Sequence, residues 1–429
     1  MSQESIWNKR VSNIPSALAN NTKLVISKAE GSILYDIDGK QYIDFASGIG
    51  SMNIGHNHPV VVAAIKNQSQ KYIQPCFHLM IHQPYVELAE KLNKITPGNF
   101  SKQTMLCNSG AEAIENAIKV ARFATKKTAI ICFDGAFHGR TYMSMSLTSK
   151  KNPYKHGFGP LASNIYRINY PAYDTTHNQF ASNWKKLITS KVNLDDIAAI
   201  IIEPQLGEGG FIPANKDIMI KIRKLCDKHN IVLIIDEIQT GFCRTGKMFA
   251  IEHFNISPDI IVMGKSLASG LPLSAITARK DLFKSLPTGS LGGTNSGNPI
   301  NCAAALASIQ ICDNENLAIR ANIIGEKMRR FFIKQRLTNN FIGKITGLGA
   351  MVGVEFINSD GSANPEVLKN IVGNSLRNGL LLITCGKHKN ILRNMMALNI
   401  SDNNLTSALE IIEKSIRNVA EDLNATYIK

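Results

Sequence analysis

The chain lacks any long apolar run. Its uninterrupted apolar stretches, such as Ile231–Ile235, fall far short of the ~18 residues a membrane-spanning helix needs. No membrane span is therefore expected. Residues 1–22 are polar and hold no apolar stretch of the signal-peptide kind, so no secretory leader is expected. Internal repeats, low-complexity tracts and long linkers are missing too, which sets aside solenoids and disordered scaffolds. The eight cysteines form no C-x-x-C pair, and several, Cys107 and Cys132 among them, sit inside apolar runs. A disulfide framework is not expected; reduced, buried thiols in a cytoplasm are.

Acidic residues are in deficit. Lys and Arg number 48 against 33 Asp and Glu, a formal charge of +15. Such a balance invites a nucleic-acid reading. Yet the basic residues are spread along the whole chain, and no DNA- or RNA-module signature accompanies them. The densest patch, Lys327–Arg336, interleaves Lys327, Arg329, Arg330, Lys334 and Arg336 with Met328, Phe331, Phe332 and Ile333. That is the pattern of a solvated face on an amphipathic helix. Neither a nucleic-acid nor a membrane partner is expected.

What is present is core material. The chain has 429 residues, 44% of them hydrophobic, enough for two or three domains. Ile33–Ile37 and Gln41–Phe45, joined through Asp38-Gly39, predict a hairpin. From about residue 105 to 280, short apolar runs alternate with helical periodicity. The runs are Met105–Cys107, Thr128–Phe133, Ile197–Ile202, Ile231–Ile235 and Ile260–Met263, with a helix predicted over Ile218–His229. Continuous apolar strands between helices indicate an α/β domain whose mostly parallel sheet is covered on both faces. Towards the C-terminus, strands are predicted at Met351–Ile357, Leu380–Thr384 and Ile391–Met396, and helices at Glu366–Asn378 and Leu405–Leu423. This suggests a smaller α+β domain. The expected division is an N-terminal arm and hairpin over 1–56, a large domain over 57–325 and a C-terminal part over 326–429.

In an open parallel sheet, ligands gather at the carboxyl ends of the strands. The residues after each run are therefore the informative ones. After Cys107 comes Asn108-Ser109-Gly110-Ala111, opening a helix; its free amides suit a phosphate, although a plain capped turn has the same pattern. After Phe133 come Phe137, His138 and Arg140, a stacking face and a carboxylate clamp, or else core filler and surface charge. After Ile202 come Glu203 and, in a glycine-rich turn, Glu208. Glu203 suits tying down backbone, and Glu208 suits direct work. Asp236 and Lys265 each follow a buried strand. A buried charge needs a partner. An Asp–Lys ion pair satisfies both, and so does a covalently used lysine beside an aspartate that binds a cation.

Two look-alikes fall away. Gly241–Met248 approaches a P-loop but has Met248 where a magnesium-binding hydroxyl is required. His56 and His58 are too few for a metal site and suit capping or orienting a turn.

Taken in order, Asn108–Ala113, Phe137–Arg140, Glu203-Pro204, Gly207–Gly209, Asp236–Gly241, Gly264–Ser266 and Gly292–Pro299 resemble the class III aminotransferases, pyridoxal-phosphate enzymes of fold type I. Arg140 and the Cys385–Arg393 segment are similar to the 4-aminobutyrate branch of that class. The resemblance implies a large domain with a mostly parallel seven-stranded sheet plus a smaller α+β domain. It implies that Lys265 carries pyridoxal 5'-phosphate covalently and moves the proton, and that Asp236 pairs with the ring nitrogen. Gln239 would donate to the ring oxygen, Phe137 would stack on the ring, and His138 would belong to the same cofactor site. Ser109, Gly110 and Ala111 would hold the phosphate, with Thr294 reaching it from a neighbouring copy in a homodimer or dimer of dimers. Arg140 would bind the carboxylate common to 4-aminobutyrate and 2-oxoglutarate. Arg393 would bind the second carboxylate of the latter, Glu208 would neutralise Arg393 when that carboxylate is absent, and Ile49 would wall the pocket. The implied reaction gives succinate semialdehyde and glutamate; an acetylornithine, ornithine or other ω-amino acid aminotransferase of the same class is the alternative. Asn394–Ala397 after Arg393 departs from the apolar, proline-containing stretch of the family.

Overall fold

A computed structural model describes residues 1–427. Fifteen strands build three sheets. In chain order they are β1 (Ile26–Glu30), β2 (Ile33–Asp36), β3 (Gln41–Asp44), β4 (Lys102–Cys107), β5 (Ala129–Phe133), β6 (Ile165–Ile168), β7 (Ile197–Ile202), β8 (Val232–Asp236), β9 (Ile260–Met263), β10 (Ser274–Arg279), β11 (Ile342–Leu348), β12 (Met351–Phe356), β13 (Leu380–Leu381), β14 (Ile383–Cys385) and β15 (Ile391–Asn394).

The central sheet has seven strands in the order β4-β10-β9-β8-β7-β5-β6. Only β10 runs against its neighbours, β4 and β9; the other pairings are parallel. The apolar runs are continuous because both faces are buried. Ile131, Phe133, Ile200, Ile202, Leu233 and Ile235 enter one core, whereas Ile130, Cys132, Ala199, Ile201, Val232 and Ile234 enter the other. The helix Gly110–Thr125 covers the second face with Ala113, Ile114, Ala117, Ile118 and Ala121. The helices Lys216–His229 and Pro299–Asn314 bury their apolar residues in the first.

The first core continues into the C-terminal residues. There β11-β12-β15-β14 form an antiparallel sheet, and Val352, Val354, Phe356, Ile412 and Ile416 join the same cluster. The predicted hairpin is present as β2 and β3, with β1 added on its outer edge and β13 in parallel on β3.

The run Leu380–Thr384 is not one strand. Leu380 and Leu382 enter the large core while Ile383 and Cys385 enter a separate small one. Two adjacent buried residues break the alternation, and the chain changes sheets there. The run Ile391–Met396 also ends early, at Asn394. Met395 and Met396 are buried in an irregular segment fastened by Met395 N–H to the Phe45 carbonyl, 3.0 Å. On the helix Leu317–Thr338, Met328 and Phe332 are buried as expected but Ile333 is exposed. Lys327 pairs with Asp402 at 2.7 Å and Arg330 with Glu326 at 2.6 Å. Among the described residues no helix is long and apolar enough to cross a membrane.

Candidate active site

The carboxyl ends of β4, β5, β7, β8 and β9 meet at one edge of the sheet, and each delivers a polar residue. Beyond β4, Ser109 caps the helix Gly110–Thr125 by accepting from Glu112 N–H at 3.2 Å. The first amides of a helix have no internal partner. Those of Gly110 and Ala111 take no partner among the described residues. They leave a cradle for an anion at the positive end of a 16-residue helix.

Beyond β5, Phe137 is half-buried and His138 is buried. Glu203, at the end of β7, holds this turn. Its Oε1 accepts from Phe137 N–H at 2.9 Å, and its Oε2 accepts from Gly207 N–H at 2.8 Å. One buried acid thus fixes the ring-bearing turn and the loop that carries Glu208. Burial raises the Glu203 pKa, against the pull of His138.

Asp236 ends β8. Its Oδ2 accepts from His138 Nδ1 at 2.7 Å and its Oδ1 from Ile238 N–H at 3.0 Å. Lys265 follows β9 with a left-handed backbone, φ +45°. No ion pair joins Lys265 to Asp236 or to any other acid among the described residues. The simple Asp–Lys pair left open by the sequence is thereby set aside. Burial first, then the positive charge of Arg393, pulls the Lys265 amine down to about 8. A lowered amine pKa provides the neutral form that attacks a carbonyl carbon.

Arg393, on β15, is buried and gives Nη1 to Glu208 Oε2 at 3.0 Å. Arg140 is exposed, with its guanidinium carbon 4.9 Å from the centroid of the Tyr154 ring. Ile49 is 47% exposed, on a left-handed turn over Ser47–Ile49. The next residue is clamped: Ser266 Oγ donates to the Gly50 carbonyl at 2.9 Å. Gly50 has φ +77°, a left-handed backbone that favours glycine, and a Cβ there would lie 2.2 Å from Met395 Cε. Met395 thus packs under the turn that presents Ile49.

Thr294 is exposed, away from these groups in its contacts. Its carbonyl accepts from Gln74 Nε2 at 2.8 Å, and the neighbouring Gly293 N–H donates to His78 Nε2 at 3.2 Å. Arg244, inside the P-loop look-alike, is fully buried and donates to Asn53 Oδ1 and to the Met396 carbonyl. That stretch fastens three chain segments. The two histidines of the other look-alike also serve structure: His56 pairs with Asp44 at 2.9 Å, and His58 caps the helix Pro59–Ser69.

Tyr154 was not singled out from the sequence. It follows no strand, and only its place in the polar Asn152–Lys155 stretch could have drawn attention.

A family model for class III aminotransferases matches residues 16–416. The chain belongs to the class III aminotransferases. A probable 4-aminobutyrate aminotransferase of Bacillus subtilis is 41% identical over 95% of this chain and 96% of its own. A 5-aminovalerate aminotransferase of Pseudomonas putida is 39% identical, covering 97% and 99%, and a 2-aminoadipate transaminase of the same organism is 42% identical, covering 94% and 98%. Among solved structures, ornithine aminotransferase from Toxoplasma gondii, described with PLP at its active site, matches with a TM-score of 0.86 at 28% identity. That match covers 98% of this chain and 96% of the other. The fold is fold type I of the pyridoxal-phosphate transferases, and the aminotransferase cofactor is pyridoxal 5'-phosphate.

The residues present fit that group. Beside Asp236 and Lys265, the Gln239 Oε1 and His138 Nε2 atoms are buried with no partner among the described residues. A Cβ on Gly207 would come within 2.1 Å of Gln239 Oε1, so the glycine-rich loop closes tightly over that amide. Unused amides for a phosphate, an acid for a ring nitrogen and an amine for an aldehyde stand along one sheet edge.

Proposed function

We propose that this class III aminotransferase transfers the amino group of 4-aminobutyrate to 2-oxoglutarate, giving succinate semialdehyde and glutamate. The observation that carries the reading is the Glu208–Arg393 ion pair at 3.0 Å. A buried guanidinium needs a counter-charge. With Glu208 in place, the pocket meets an ω-amino acid that brings one carboxylate, which goes to Arg140. With a dicarboxylate, Glu208 moves aside and Arg393 takes the second carboxylate as a planar fork. One breakable pair serves both halves of a ping-pong reaction. Ile49 then faces the short uncharged chain.

When bound, pyridoxal phosphate supplies an electron-withdrawing ring that accepts the amino group and stabilises negative charge on the substrate carbon. Lys265 Nζ would hold it covalently and would move the proton at that carbon. Asp236 keeps the ring nitrogen protonated, and His138 fixes the orientation of Asp236. Gln239 would donate an amide N–H to the ring oxygen, and Phe137 would stack on the ring face. Ser109 Oγ and the Gly110 and Ala111 amides hold the phosphate.

Thr294 reaches the phosphate of a second copy in a homodimer or dimer of dimers. The apolar exposure beside its loop supports this: Ile73 is 63%, Leu79 78% and Ile81 81% exposed. Contiguous exposed apolar surface of this kind marks an association face. We take residues 57–325 as the cofactor-holding unit, with 1–56 and 326–429 bringing Ile49 and Arg393 to it. The free cysteines suit a cytoplasmic setting.

The test is a comparison of kcat/KM for 4-aminobutyrate, 5-aminovalerate, acetylornithine, ornithine and 2-aminoadipate, each with 2-oxoglutarate. The proposal expects 4-aminobutyrate to lead. A higher value for any of the other four amines would reject it.

A further inference from the structure

The roles above leave one group in the cleft unused. Tyr154 stands edge-on to Phe137, with ring centroids 5.2 Å apart. Its face carries the Arg140 guanidinium at 4.9 Å. Its hydroxyl lies 3.4 Å from Glu208 Oε1, while Glu208 Oε2 takes Arg393 Nη1 at 3.0 Å. A single phenol therefore touches the Arg140 carboxylate site directly and the Arg393 site through Glu208.

The chemistry of that contact has a direction. An ionised carboxylate only accepts, so the phenol must donate to Glu208. The bond exists while Glu208 covers Arg393. It is lost when Glu208 leaves to admit a second ligand carboxylate. Whatever strengthens it favours ligands with one carboxylate over ligands with two. The ring contributes separately, since a cation over an aromatic face is held in place.

We infer that Tyr154 is a specificity-determining positioning residue: its hydroxyl biases the Glu208–Arg393 pair toward the closed arrangement that admits a one-carboxylate ligand, and its ring braces Arg140. This rests on the reading of Arg140 and Arg393 as the two carboxylate sites. A bond of 3.4 Å is long, so the expected bias is modest, about threefold.

The test uses holoenzyme and two acids that do not react. Pentanoate carries one carboxylate and glutarate two. Their dissociation constants are read from the cofactor absorbance for wild type, Y154F, Y154L, E208Q and Y154F/E208Q, alongside single-turnover rates with 4-aminobutyrate and glutamate. Y154F should weaken pentanoate about threefold and leave glutarate unchanged or tighter. In the E208Q background the same substitution should have no further effect on the ratio. Y154L should weaken both acids about twofold to fivefold, because Arg140 loses its platform. Y154F behaving as wild type, shifting both acids equally, or keeping its effect without Glu208 would each overturn the inference. Failure of the substrate reading is separately visible: 4-aminobutyrate would then not lead among the amines, while the pentanoate-to-glutarate ratio still answers for Tyr154.

Discussion

The floor of the cleft and its rim are built on opposite principles. On the floor, Asp236 and Glu203 are buried acids satisfied by an imidazole and by backbone N–H groups. Those partners stand in the turns that directly follow β5, β7 and β8. On the rim, Glu208 is satisfied by a guanidinium on another sheet and by a weak phenol contact. That pair can open at modest cost, because an incoming carboxylate replaces the one that leaves. Arg140 needs no counter-ion, being exposed, whereas buried Arg393 does. The floor therefore suits chemistry that every turnover repeats, and the rim suits the choice between two ligands.

The largest test of this contrast is Asp236→Asn. It keeps the shape and removes the charge that, in the role proposed for Asp236, would hold a proton on the ring nitrogen. Both half-reactions should slow together, on the order of 100-fold or more, as read by single-turnover absorbance. A loss confined to one half-reaction would move Asp236 from the floor to the rim. Next in size is Glu208→Gln. It should weaken the 4-aminobutyrate half-reaction roughly tenfold while sparing the glutamate half-reaction. Equal damage to both would mean that Glu208 is part of the floor.

Glu237, the neighbour of Asp236, sharpens the comparison with the smallest effect on activity. It is fully buried, accepting from Thr240 Oγ1 and from the Ala250 and Ile251 amides. Burial raises its pKa from 4.5 to about 7. Between those values the native state binds more protons than the unfolded chain, so stability falls as pH rises through that window and levels off above it. The contribution is on the order of 3 kcal/mol. Denaturation of Glu237→Gln between pH 4.5 and 8 should show a smaller fall than wild type, that of Glu203 remaining, with substrate preference unchanged. A pH profile identical to wild type would show that Glu237 does not titrate there.

Much of the floor was legible in the sequence, because each strand that bears a floor residue is a plain apolar run with both faces buried. Ile197–Ile202 and Ile260–Met263 are strands to the residue, and Glu203 and Lys265 stand just past the ends of those runs. β10 was not legible. It contains Ser274 and Thr277, and the latter's hydroxyl meets Thr104 Oγ1 at 2.6 Å inside the sheet, so no apolar run marks it. The edge strand β6 was hidden by Arg167, whose guanidinium donates to the carbonyls of Phe133, Ser146, Leu147 and Thr148. The rim was only partly legible. Glu208 was singled out from its glycine-rich turn and Arg393 from the family resemblance, and the geometry brings them together. Tyr154 has no local signature, since its importance comes from neighbours distant in the chain. The His138–Asp236 bond joins residues 98 apart, a pairing that no short-range pattern encodes.

The central claim is that Lys265 alone bears pyridoxal phosphate covalently. Holoenzyme reduced with borohydride and digested with protease should yield one pyridoxyl-modified peptide, with the label on Lys265, and Lys265→Ala should yield none. A label on another lysine, or an absorbance band of lysine-bound cofactor that survives Lys265→Ala, would contradict the account.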